Sequence, residues 1–159
     1  MSEQEPSLDS VDEQFFEVTP VALLTCGEFW VAFPVHEIEE ITEWRQPSPL
    51  PGVDAHISGV LNFRGRALPL LDLAALLNTR ASPRGAFQRI VIVNAASMRV
   101  GIETERVSRI IDARPDEWHA VEAVQGDRLR AVCVAELRLK EGVVGVLDTA
   151  LLLELARVR

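Results

Sequence analysis

Two apolar runs, Val60 to Phe63 and Ala67 to Leu71, flank an Arg64-Gly65 corner. A chain that reverses within so few residues pairs with itself, so the block predicts a pair of strands around a tight turn. The same logic applies to Val21–Cys26 and Phe29–Phe33, which bracket Gly27-Glu28. It applies again to Gln88–Asn94 and Met98–Ile102, which bracket the turn-rich Asn94-Ala95-Ala96-Ser97. Three such reversals commit the chain to sheet. An arginine held in a tight turn is poor chemistry for catalysis and good chemistry for docking.

The remaining segments fill in around these hairpins. Val35, Ile38, Ile41 and Trp44 recur every three residues, which predicts a helical turn running into an extended segment. Pro47-Ser48-Pro49-Leu50-Pro51-Gly52 excludes regular structure, and Pro69 inside an apolar run predicts an edge strand or a bulge. Asp72 is placed to cap a short helix through Asn78, and Thr79–Gly85 reads as a surface loop. Arg106–Ile111 reads as strand and Ala113–Asp127 as an excursion marked by Pro and Gly. Leu129–Ala135 and Val143–Leu147 are read as further strands. Asp148 then caps a final helix with Leu151, Leu152 and Leu155 on one face. Many short strands with two minor helices predict an all-β barrel architecture.

The 159 residues suffice for one domain, or for two small subdomains sharing a core. Six of the 24 acids and none of the 16 bases lie in residues 1–20, leaving 18 acids against 16 bases in the rest. The acidity is mostly a property of the tail. Residues 1–15 are accordingly expected to be a disordered extension, with the folded domain over 16–159. A net charge of −8 with scattered arginines excludes a nucleic-acid partner, which would require a basic stripe. No apolar segment approaches the ~20 residues a spanning helix requires, so no membrane insertion is expected. Cys26 and Cys133 lie in apolar runs, as buried free thiols of a cytoplasmic protein would.

Catalytic and metal signatures fail on spacing. His36-Glu37-Ile38-Glu39-Glu40 begins like a zinc-protease helix but has Glu40 where a second His is needed. His36, His56 and His119 are dispersed, Ser58 is not in a nucleophile elbow, and no Gly-rich phosphate loop is present. No enzyme, no metal and no cofactor is the expectation.

Taken in order, Glu40-Ile41, Leu50-Pro51, Ile57-x-Gly59-Val60-x-Asn62-x-Arg64-Gly65 and Pro69-Leu70-x-Asp72-Leu73 resemble the central signature of the CheW-like chemotaxis adaptor family. Weaker blocks at Ile90–Val93, Val100–Ile102, Val107 and Val143–Leu152 extend the resemblance over roughly Val18 to Leu155. It implies two intertwined five-stranded SH3-like β-barrel subdomains with short helices and a hydrophobic groove between them. The implied partners are the regulatory domain of a CheA-type histidine kinase and the cytoplasmic tip of a methyl-accepting chemoreceptor. It places partner-binding positions at Ile38, Glu40, Ile41, Gly59, Asn62, Arg64 and Gly65. There Arg64 would offer a five-donor fork, Gly65 a positive φ, Gly59 a close backbone approach, and Ile38 and Ile41 apolar contact to a receptor helix. Asn62, Arg64 and Gly65 equally suit a purely structural corner.

The sequence departs from the family pattern at Phe63, in place of Leu, and at Glu103 and Thr104, where apolar residues are usual. Two alternatives stand beside the adaptor. One is a kinase-binding competitor without receptor coupling, should Glu103 spoil the groove. The other, of a different class, is a small metallohydrolase using the His36–Glu40 cluster.

Overall fold

The computed structural model describes residues 17–80, 87–95 and 97–157. The extension expected over 1–15 and most of the Thr79–Gly85 loop lie outside them. The first hairpin joins β1 (Thr19–Cys26) to β2 (Phe29–Pro34) antiparallel through Gly27-Glu28, with Gly27 at φ +60°. A 3-10 turn over Val35–Glu37 leads into β3 (Ile38–Glu43), as the three-residue spacing predicted. The Arg64-Gly65 corner joins β4 (Ile57–Phe63) to β5 (Arg66–Asp72). Asp72 Oδ1 accepts a hydrogen bond from the Ala75 N–H and caps α1 (Leu73–Leu76). This helix is shorter than expected, because Asn78 takes φ +58° and turns the chain out of helical geometry.

A third hairpin pairs β6 (Arg89–Ala95) with β7 (Met98–Thr104), and β8 (Arg106–Ala113) returns along β1. A second 3-10 turn over Pro115–Glu117 precedes the two-residue β9 (Trp118–His119). The remainder is α2 (Asp127–Ala131), β10 (Cys133–Leu139), β11 (Gly142–Leu147) and α3 (Thr149–Arg157). The strand expected from Leu129 therefore begins only at Cys133. Leu129 instead lies buried on α2, and Gly126, at φ +95°, turns the chain into that helix. On α3 the buried face is Leu152, Leu153 and Ala156, while Leu151 is exposed.

The architecture is all-β, with two interleaved sheets. One has six strands in the order β8-β1-β2-β11-β10-β9, the sixth being the short β9. The other has five in the order β3-β6-β7-β5-β4. The six-stranded sheet draws on both ends of the chain, and the five-stranded one is built from the stretch between. Two parallel pairings, β2 with β11 and β5 with β7, sit among the antiparallel ones.

Each sheet buries one face in a core of its own. Val21, Leu23, Ala135, Leu137, Val144 and Val146 fill the six-stranded side. Leu61, Phe63, Leu68, Leu70, Ile90 and Ile92, with Trp44 against them, fill the five-stranded side. The bulkier Phe63 is therefore absorbed in the core of the five-stranded sheet. A third core lies between the sheets, drawing Leu24, Val31 and Phe33 from one, Val91, Val93 and Ile102 from the other, and Leu152 and Leu153 from α3.

Pro69 lies in a strand paired on both sides, where a proline normally costs a ladder bond. Here it costs none. Its neighbour Val60 directs both backbone groups to Ser48, so Val60 and Pro69 form a non-hydrogen-bonded pair. On its other side, pairing with β7 starts only at Leu70.

Candidate functional site

The five-stranded sheet has two edges, β3 and β4, and the candidate residues gather where these edges meet. After β3 the chain runs alongside β4: Ser48 N donates to Val60 O and Val60 N to Ser48 O, each at 2.9 Å. Gly59 permits this approach. A Cβ there would lie 2.2 Å from Ser48 O, and its φ is +146°. The close approach expected of Gly59 is thus made to the chain's own backbone.

At the hairpin tip, Arg64 and Gly65 take φ +53° and +79°, the sense that a two-residue hairpin turn needs. Asn62 Oδ1 accepts a hydrogen bond from Gly65 N–H at 3.0 Å and fixes the corner. The Arg64 guanidinium, on a side chain 66% exposed, reaches back across the seam to Glu40 Oε1 at 2.8 Å. It lies 4.8 Å from the centroid of the Phe63 ring. Arg45 reinforces the same seam by donating to Asn62 O at 3.3 Å.

Ile38 and Ile41 are held differently. A spacing of three in a regular strand would send them to opposite faces. The register shifts between Ile38 and Glu40, so Glu39 is a bulge that returns both isoleucines to one face. That face packs on the inter-sheet core, and both side chains are half-buried. Glu40 is left on the opposite face, toward Arg64. The bulged Glu39 accepts from Arg99 Nε at 2.9 Å and Asn94 Nδ2 at 3.2 Å. The seven candidate residues therefore form one surface corner (Glu40, Asn62, Arg64, Gly65), one buried backbone contact (Gly59) and one apolar pair directed inward (Ile38, Ile41).

The His36–Glu40 cluster does not converge. His36 is exposed with Glu37 3.9 Å away, Glu37 accepts from Thr149 Oγ1 at 2.6 Å, and Glu39 and Glu40 serve different arginines. Among the described residues, no three His, Cys, Asp or Glu side chains come together as a metal site would require.

Glu103 is buried, at 3% exposure, and does not present its charge at a surface. Its carboxylate accepts from Trp44 Nε1 at 2.6 Å and from the Ser58 hydroxyl. The departure from the family pattern thus lies in the interior of the five-stranded sheet, whose order β3-β6-β7-β5-β4 leaves it open and not closed into the expected barrel, on the same face of β7 as Gly101. A second buried carboxylate escaped the sequence reading altogether. Glu136 Oε1 accepts three consecutive backbone N–H groups, those of Glu122, Ala123 and Val124, while Oε2 meets Arg138. Burial alone would raise this carboxyl, but the three N–H donors and the guanidinium hold it below the usual carboxylate range. Alternation along β10 gave no signal for it, since Ala135 and Leu137 face the core while Glu136 shares the other face with Arg138 and is covered by the 122–124 loop.

A family model described as the CheW-like domain matches residues 20–157. The chain is 36% identical over 81 residues to Protein PilI of Pseudomonas aeruginosa, covering 51% of this chain and 45% of that one. It is 32% identical over 97 residues to the chemotaxis protein CheW of Bacillus subtilis, covering 60% and 62%. These alignments span about half to three fifths of the relatives' lengths. The crystal structure of the scaffolding protein TtCheW from Thermoanaerobacter tengcongensis superposes with TM-score 0.75 at 16% identity, over 82% of this chain and 89% of that one. A two-sheet, SH3-like all-β protein is the class this fold defines. Within it, the chain belongs to the CheW-like domain family.

Proposed function

We propose that this protein is a non-enzymatic adaptor that couples chemoreceptors to a CheA-type histidine kinase in a bacterial chemosensory array. In this reading it works in the cytoplasm and is recruited to membrane-associated receptors. Family membership supports the class of function. The observation that carries the site is the Arg64–Glu40 pair, an exposed guanidinium fixed in direction by a neighbouring carboxylate. Such a group keeps donors available for a partner's carboxylates or carbonyls while its own position is already set. Ile38 and Ile41 hold β3 in place behind it, and Gly59 and Asn62 shape the hairpin that carries it.

The competitor alternative rested on a charge in the groove, and Glu103 is buried against Trp44 and Ser58, so nothing favours that alternative. The metallohydrolase lacks convergence among its residues. The adaptor is tested by affinity pull-down of the tagged full chain from its native cell, comparing wild type with Arg64→Asp. Recovery of a CheA-type kinase and receptors by wild type, and their loss with a folded Arg64→Asp, supports the reading. Recovery of neither by folded wild-type bait overturns it.

A further inference from the structure

The buried Glu103 touches both edges of the five-stranded sheet from its middle. In the order β3-β6-β7-β5-β4, the strand that carries it, β7, is the central one. Its Oε2 accepts the Trp44 indole N–H at 2.6 Å, and Trp44 is the residue that follows β3. Its Oε1 accepts the Ser58 hydroxyl on β4. Ser58 is the extra residue of a bulge, since the register of β4 against β5 shifts between Ile57 and Gly59. One carboxylate therefore holds the end of one edge strand and the bulge of the other.

From these two holds the backbone leads directly to the docking corner. Arg45, next after Trp44, donates to Asn62 O at 3.3 Å, and Asn62 Oδ1 accepts the Gly65 N–H that closes the turn. Gly59, next after Ser58, makes the close approach to Ser48, whose two hydrogen bonds with Val60 join the edges. Glu40 stands on the first of these strands and Arg64 at the tip of the hairpin that the second begins, and their ion pair spans 2.8 Å. An apolar side chain would fill the place of Glu103 at less cost, because a buried carboxylate must be stripped of water. What an apolar side chain lacks is direction. Hydrogen bonds to two donors fix an angle and a register where packing alone tolerates a slip.

We propose that Glu103 is a positioning residue for the Arg64–Glu40 corner. Buried as it is, it touches no partner. By holding β3 and β4 from within, it sets the span across which Arg64 meets Glu40, and so the direction in which the guanidinium is presented. The departure from the family pattern at this position then tunes partner binding from beneath the surface. This inference rests on the reading of Arg64 as a partner contact, and its first test needs no partner.

The test compares Glu103→Leu, Glu103→Gln, Trp44→Phe and Ser58→Ala with wild type in the isotope-labelled full chain, by NMR of the Gly65 amide and the Arg64 Nε–H. Glu103→Gln keeps an acceptor oxygen for Trp44 and offers its amide to the Ser58 oxygen. Val146→Ala, which opens a cavity in the core of the six-stranded side, is the control that lowers stability without touching the network. Both corner signals are expected to move in Glu103→Leu, and to move less in Trp44→Phe and Ser58→Ala. They should stay at their wild-type positions in Glu103→Gln and Val146→Ala. Affinity for the kinase that wild-type bait recovers should fall about tenfold with Glu103→Leu and return with Glu103→Gln. Signals unmoved in folded Trp44→Phe and Ser58→Ala would overturn the proposal, even where Glu103→Leu does not fold. Signals moved as far by Val146→Ala, or an unchanged kinase affinity in folded Glu103→Leu, would overturn it too. Signals that move as expected, in a chain whose wild type recovers no kinase, support the positioning and count against the adaptor reading alone.

Discussion

Trp44 donates its indole N–H to Glu103 at 2.6 Å, and through that bond the end of β3 is tied to the middle of the five-stranded sheet. A buried carboxylate is tolerable only when donors reach it, and Trp44 and Ser58 both do. Glu103→Ala is expected to destabilise by about 1–3 kcal/mol, since it leaves two buried donors behind. Glu103→Leu combined with Trp44→Phe should cost less than the two single changes together. Urea denaturation of the four proteins in a double-mutant cycle checks this, and strict additivity would refute the coupling.

The corner itself separates docking from folding. Arg64 sits at φ +53°, a conformation Asn adopts more readily than Arg. Its ion pair is a surface one, worth at most about 1 kcal/mol. Arg64→Asn should therefore melt within about 1 kcal/mol of wild type while losing partner recovery as fully as Arg64→Asp. A folded Arg64→Asn that retains its partners would show the residue to be only a turn former.

Two glycines one strand apart should behave differently. Gly65 has φ +79° with nothing near the position a Cβ would take, so Gly65→Ala meets only backbone strain, about 1 kcal/mol. Gly59→Ala adds a collision with the Ser48 carbonyl, and about 2–4 kcal/mol is expected. Comparing their thermal midpoints tests whether the Ser48 approach is as tight as described.

Glu136 sets a pH dependence. Its carboxyl is held low in the folded state by the Glu122–Val124 N–H groups and Arg138, against the burial that would raise it. Because the folded value lies below the unfolded one, the stabilisation is fully present above the ordinary carboxylate pKa, about 4.3, and is lost as pH falls through the folded value. Glu136→Gln should thus lower the melting temperature at pH 7, with the gap to wild type narrowing below about pH 4. A gap constant with pH would refute the assignment.

Burial pushes the Cys26 and Cys133 thiols up to about 12, with nearby carboxylates adding to the effect. Both should resist a thiol-specific disulfide reagent at neutral pH and react only once the chain is unfolded. Rapid labelling of either in the native protein would contradict their placement in the core.

What was legible in the sequence was local. Gly27-Glu28, Arg64-Gly65 and the 94–97 turn each announce a reversal within a few residues, and Asp72 and Asp148 mark their helix starts. Asp148 Oδ1 accepts from Leu151 N at 3.2 Å. The family motif suggested which positions to compare but not their geometry. What escaped depended on distant contacts. Leu129 to Ala135 is too short an apolar run to distinguish helix from strand by period, and Gly126 turned its first part into α2. The bulge at Glu39 decides which way Ile38 and Ile41 point, and it exists only because β3 pairs with β6. Ion pairs such as Arg64–Glu40 need the seam between β3 and β4, which no stretch of sequence contains.

The core between the sheets takes side chains from both of them and from α3, so neither sheet can slide or tilt without opening it. The Arg64 corner on the five-stranded sheet and the 122–124 loop that Glu136 holds on the six-stranded one are therefore mounted on one splint. A push on the corner would be delivered across the core as displacement of the whole molecule, with little lost to flexing in between.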